Sequence, residues 1–191
     1  YNGKVIDSMK IFHILIAVSL LTLTSCRGNS EGDAPPFQRQ SFKTFSIDVP
    51  DTFRKVSKEQ FANTIPEDTV VIFLSKDESQ DVIVNANVVK ESLNTNASSL
   101  EYAKANMLLG SKAVTDYRQV SADEVDAGGI TTVLHVFRSR NSTSEPLLHF
   151  QQTYFSRDRV GYAVTCVSKV DDTGSQDTCG QIVTSFRFID I

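Results

Sequence analysis

The chain has no tryptophan, only two methionines, three cysteines and no excess of positive charge. Without tryptophan, aromatic packing falls to 12 phenylalanines and five tyrosines. Lysine and arginine number 19 against 23 aspartates and glutamates, and without Lys4, Lys10 and Asp7 near the start the counts are 17 and 22. Nucleic-acid affinity comes chiefly from cations on phosphates, so an acidic domain without Lys/Arg clusters argues against that partner class. Also missing are a Gly-x-Ser-x-Gly elbow, a His-Glu-x-x-His pair, a phosphate-binding glycine loop and an Asp-rich calcium loop. Asp123, Glu124 and Asp126 read as a solvated acidic run, not as the desolvated carboxylate pair that acid/base work needs. Gly128-Gly129 reads as a hairpin turn. The expectation is a protein with no catalytic centre, cofactor or metal.

The longest apolar stretch near the start, Ile11–Leu23, is 13 residues and contains His13, Ser19 and Thr22. As a helix it would reach about 20 Å, short of a hydrocarbon core of roughly 30 Å. Lys10, the apolar run and the small residues Thr24 and Ser25 instead have the layout of a removable export signal. The run ends in Leu23-Thr24-Ser25-Cys26, which resembles the lipobox of bacterial lipoprotein precursors. That resemblance implies cleavage before Cys26, a diacylglyceryl group on its thiol and often an acyl chain on its new amino group. The alternative is an ordinary secretory signal with an incidental cysteine. Met9 is the expected start, with Tyr1 to Ser8 an upstream extension. Two or three acyl chains, at about 0.8 kcal/mol per buried methylene, anchor a protein without a polybasic patch. The implied location is the bacterial envelope. Where there are two membranes, Arg27 after the cysteine implies the outer membrane facing the periplasm, because inner-membrane retention usually uses Asp there.

The chain then divides into residues 1–25, an extension plus signal; 26–40, a lipidated start and tether rich in polar residues with Gly28, Gly32, Pro35 and Pro36; and 41–191, one domain of 151 residues. A domain of that size sustains a real core. Phe45, Ile47 and Val49 alternate up to Pro50, a first strand. Val70 to Leu74 and Val82 to Val89 suggest a hairpin around the charged loop at 76–81. Alternation would put Val82, Val84, Ala86 and Val88 on one face and Ile83, Asn85, Asn87 and Val89 on the other. Ser98 with Glu101 offers a capping box for a helix of about three turns carrying Leu100, Ala103, Met107 and Leu108 and ending before Gly110. Val114 to Val120, Ile130 to Arg138, Leu147 to Phe155 and Arg159 to Val167 read as an antiparallel meander, with a tight turn at Ser156-Arg157-Asp158. Cys179, Ile182, Val183 and Phe186 form one helical stripe. Phe188-Ile189 reads as a short closing strand.

The opening Phe45-Ser46-Ile47-Asp48-Val49-Pro50-Asp51-Thr52-Phe53, the helix at Ser98 and the closing Ile182-Val183-Thr184-Ser185-Phe186-Arg187-Phe188 resemble the PsbP, Mog-one and DcrB group. The resemblance covers nearly all of the domain, although Thr52-Phe53 stand where that group usually has Gly-Trp. It implies an α+β domain, an antiparallel sheet of about six to seven strands flanked by helices in an α/β/α sandwich. It also implies non-catalytic work: assembly, envelope or protein-binding roles. The expected function is an accessory, assembly or protein-binding module of the envelope with a protein partner. The alternative is a carrier or chaperone holding an apolar peptide or small molecule in a helix–sheet cleft.

With Cys26 acylated, Cys166 and Cys179 remain as an even pair in an exported domain, where disulfides persist. A bridge would pin the last helix to the sheet. Two free buried thiols are the alternative; the spacing excludes a CxxC redox site. Zinc would need two further ligands, and His135 and His149 each sit singly within a strand pattern, the pattern of structural histidines. Asn96-Ala97-Ser98 and Asn141-Ser142-Thr143 match the glycosylation sequon, which in a bacterium usually carries no meaning.

Overall fold

The computed structural model describes residues 35–57, 60, 65, 67–77, 82, 84–140 and 142–190. Its strands are β1 (Phe37–Ser41), β2 (Phe45–Pro50), β3 (Phe53–Val56), β4 (Thr69–Ser75), β5 (Asn85–Ser92), β6 (Thr115–Asp126), β7 (Thr131–Arg140), β8 (Leu148–Arg157), β9 (Val160–Lys169) and β10 (Arg187–Phe188). Helix α1 (Ser99–Ala113) lies between β5 and β6, and α2 (Thr173–Thr184) between β9 and β10. An antiparallel seven-stranded sheet runs in the order β3-β4-β5-β9-β8-β7-β6, and a small one in the order β1-β2-β10. This is the expected α+β architecture, with helices on both faces of the large sheet.

Side-chain alternation divides the large sheet between two cores. On one face Ala86, Val88, Phe155, Val164 and Cys166 meet Cys179, Ile182 and Val183 of α2 and Phe45, Ile47 and Val49 of β2. With no tryptophan, phenylalanines stack through this core: Phe186 lies 5.1 Å from Phe45 and 4.3 Å from Phe155 between ring centroids. Polar side chains of β8 fasten the helix backbone, Thr153 Oγ1 donating to Val183 O at 2.6 Å and Gln151 Nε2 to Gln176 O at 2.7 Å. On the other face Val133, Tyr154 and Ala163 pack against Tyr102 and Ala103 of α1. The Tyr102 ring approaches the sheet at Gly161, where a Cβ would come within 2.5 Å of it.

Several expectations need correcting. Phe37–Gln40, placed in the tether, are strand, pairing along β2 from Phe37↔Pro50 to Gln40↔Ile47. The strand Phe45–Pro50 belongs to the small sheet, where Arg187 and Phe188 close it from the far end of the chain. The expected alternation holds for Val84, Ala86 and Val88. It fails at Val82, which precedes the strand and packs with Phe137, Leu148 and Phe150; Ile83 lies outside the described residues. With both faces of the sheet covered, Asn85 and Asn87 are buried.

Helix α1 begins as its capping box requires: Ser98 Oγ accepts from Glu101 N at 3.2 Å and Glu101 Oε2 accepts from Ser98 N at 2.8 Å. It continues through Gly110, because an interior glycine costs only about 1 kcal/mol, and ends where Val114 turns extended into β6. Its buried face is Ser99, Tyr102, Ala103 and Asn106, while Leu108 is 60% exposed. The β6–β7 hairpin turns on Gly128 and Gly129, both at positive φ, with Ala127 N donating to Ile130 O. The β8–β9 hairpin has the same sense of turn on Asp158 and Arg159, one residue later than expected and without glycine.

Candidate functional site

Cys166 of β9 and Cys179 of α2 are bonded, their Cα atoms 5.2 Å apart. Leu23, Thr24, Ser25 and Cys26 lie outside the described residues. His135 and His149 fall on opposite faces of the sheet. His149 is cross-strand neighbour to Arg138 on one side and Ser168 on the other, and burial, with the Arg138 charge second, holds its imidazole below the usual histidine range. Arg138 Nε, His149 Nδ1 and Ser168 Oγ form a row of buried polar atoms without a hydrogen-bond partner among the described residues. Asp123, Glu124 and Asp126 are exposed on the edge strand β6.

The face under α1 carries a continuous polar chain. Tyr154 Oη donates to Gln152 Oε1 at 2.7 Å, and Gln152 Nε2 donates to Thr165 Oγ1 at 2.8 Å. With the single Tyr154 proton so committed, His135 Nδ1–H donates to Tyr154 Oη at 3.1 Å and His135 Nε2 accepts from Tyr117 Oη at 2.9 Å. Register builds the chain: Thr165↔Gln152 and Gln152↔His135 are direct cross-strand pairs. Burial holds the His135 pKa down at about 4, so the ring is neutral at pH 7. The phenols of Tyr154 and Tyr102 are pushed above their ordinary range, both chiefly by burial. A cavity of about 30 Å³ beside Gln152, Tyr154 and Asn106 has room for a water or two. These neutral groups have partners and face little space, which suits a specifying core network better than a reaction centre.

A larger opening lies at the other end of the sheet, between β10, the β8–β9 turn and β5. It has a volume of about 430 Å³ and is lined by Thr44, Lys90, Arg157, Asp158, Val160, Tyr162, Phe188, Ile189 and Asp190. Thr44 Oγ1 and Tyr162 Oη are hydrogen-bonded at 2.9 Å. Arg157 stacks over the Phe188 ring at 4.2 Å and binds Asp190 at 2.8 Å. Sequence reading missed this opening and the tyrosine–histidine chain because both depend on non-local pairing. A signal for the chain did exist: Gln152 and Tyr154 put polar groups, two apart, on one face of a strand that is buried on both.

Among the described residues no three His, Cys, Asp or Glu side chains gather as a metal site, and no helix is long and apolar enough to cross a membrane.

The arrangement of sheet and helices is an α+β fold similar to that of PsbP. The solution structure of cyanobacterial PsbP (CyanoP) from Synechocystis sp. PCC 6803 superposes with a TM-score of 0.56 at 14% identity, covering 87% of this chain and 99% of that one. LpqN of Mycobacterium tuberculosis, described as involved in cell envelope biogenesis, superposes with a TM-score of 0.50 at 11% identity, covering 84% and 88%. No family model and no curated protein matches the sequence. At these identities the likeness establishes the fold.

Proposed function

We propose that the protein is a bacterial envelope lipoprotein, anchored through lipid on Cys26, whose PsbP- and DcrB-like domain is a non-catalytic accessory, assembly or protein-binding module. The observation that carries this reading is Leu23-Thr24-Ser25-Cys26 at the end of an apolar run too short to span a bilayer. The bonded Cys166 and Cys179 suit an exported domain. Ten residues separate Cys26 from Phe37, so β1 lies within about 40 Å of the anchor even at full extension. Arg27 favours the outer membrane, facing the periplasm. The carrier reading gains nothing from the α1–sheet cleft, which is too small for a peptide.

Crosslinking in living cells followed by mass spectrometry tests the partner-binding role. One or a few envelope proteins should be captured by the wild type, and their yield should fall in Cys26→Ala. Capture of cytoplasmic proteins alone, or of the same set by both forms, contradicts it.

A further inference from the structure

The groove between β10 and the β8–β9 turn carries two opposite charges that the fold leaves unused. Arg157 is committed to Asp190 and the Phe188 ring, and the Tyr162 hydroxyl to Thr44. Lys90 and Asp158 line the same groove and are exposed, and their charged side-chain groups have no hydrogen-bond or ion-pair partner among the described residues. Lys90 is fixed directly opposite Tyr162 by the β5–β9 register. Asp158 sits at φ 53° and Arg159 at φ 59°, whereas the comparable β6–β7 turn uses two glycines. Side chains are therefore held in a left-handed backbone that glycine would occupy without strain, and one of them is a carboxylate at the groove. Val160, Phe188 and Ile189 add apolar surface to the same groove. A volume of about 430 Å³ falls in the range of small-molecule sites.

We propose that this groove binds a small zwitterion, an α-amino acid or dipeptide with an apolar side chain, its carboxylate on Lys90, its ammonium on Asp158 and its body on Val160, Phe188 and Ile189. The site goes beyond the anchoring and partner-binding reading, and its test is independent of either. A single free cation would suit any anion; a free cation and a free anion on one apolar groove select a ligand with both charges.

The experiment is a calorimetric and amide-NMR titration of the full chain with phenylalanine and the dipeptide Ala-Phe, alongside N-acetyl-Ala-Phe and Ala-Phe amide. Ala-Phe should bind and shift the amide signals of Lys90, Asp158, Val160 and Tyr162, with each blocked form weaker by about tenfold or more. Lys90→Gln should weaken Ala-Phe similarly yet leave the amide form unchanged. Asp158→Asn, which tolerates positive φ, should weaken Ala-Phe yet leave the N-acetyl form unchanged. No binding of phenylalanine or Ala-Phe at millimolar concentration overturns the proposal. So does equal binding of blocked and free forms, or shifts confined to other residues.

Discussion

Reduction of the Cys166–Cys179 bond lowers the melting temperature by roughly 6–12 °C. The bridge closes a loop between residues 13 apart in sequence. In the chain-entropy model such a loop contributes about 3 kcal/mol by restricting the unfolded chain. Typical domains have only about 5–15 kcal/mol in total, so the loss is large. Both half-cystines are fully buried between α2 and the sheet, so the helix loses its covalent tie where Gln151 and Thr153 also hold it. Calorimetry of oxidised and reduced wild type, with Cys166→Ala/Cys179→Ala as a third arm, measures this. The reduced protein and the double variant should melt together, well below the oxidised form. Equal melting temperatures before and after complete reduction would show that the bridge contributes nothing.

The second large effect is acid destabilisation through His135. Its folded pKa is about 4 against an ordinary 6.5, so between those values the unfolded chain binds a proton that the folded one refuses. Stability is therefore fully present above pH 6.5 and falls as the pH drops toward 4, by up to about 3 kcal/mol from this group. His149, also depressed by burial, acts in the same direction, so the assignment needs a variant. Denaturant unfolding at a series of pH values should give a steeper decline for the wild type than for His135→Gln over that window. Parallel curves would remove His135 from the account. Tyr154→Phe leaves Gln152 Oε1 and His135 Nδ1 without their partner and should cost about 1–3 kcal/mol near neutral pH.

What the sequence made legible follows local rules. The capping box at Ser98, the glycine turn at Gly128-Gly129 and the stripe Cys179, Ile182, Val183 each need only a few neighbouring residues to define them. β1 was illegible because Phe37–Ser41 is polar and gains its order from pairing with β2. The inward face of α1 was legible at Leu100, Ala103 and Met107, which pack in the cluster beneath the helix, but not at Leu108, which is exposed, nor at Tyr102 and Asn106, which are buried in its place. The buried chain through His135 and the groove beside Lys90 share one cause: cross-strand neighbours are set by non-local register, and β5 meets β9 only after α1 and three strands have intervened.

The central claim is that lipid on Cys26 holds this domain at a bacterial envelope. The most direct measurement is the intact mass of the mature protein extracted from membranes, with fragmentation of its N-terminal peptide. The account predicts a chain that starts at Cys26 with a diacylglyceryl group on its sulfur, and a Cys26→Ala form absent from the membrane fraction. A mature N-terminus elsewhere, or an unmodified Cys26 in protein that still fractionates with membranes, would contradict it.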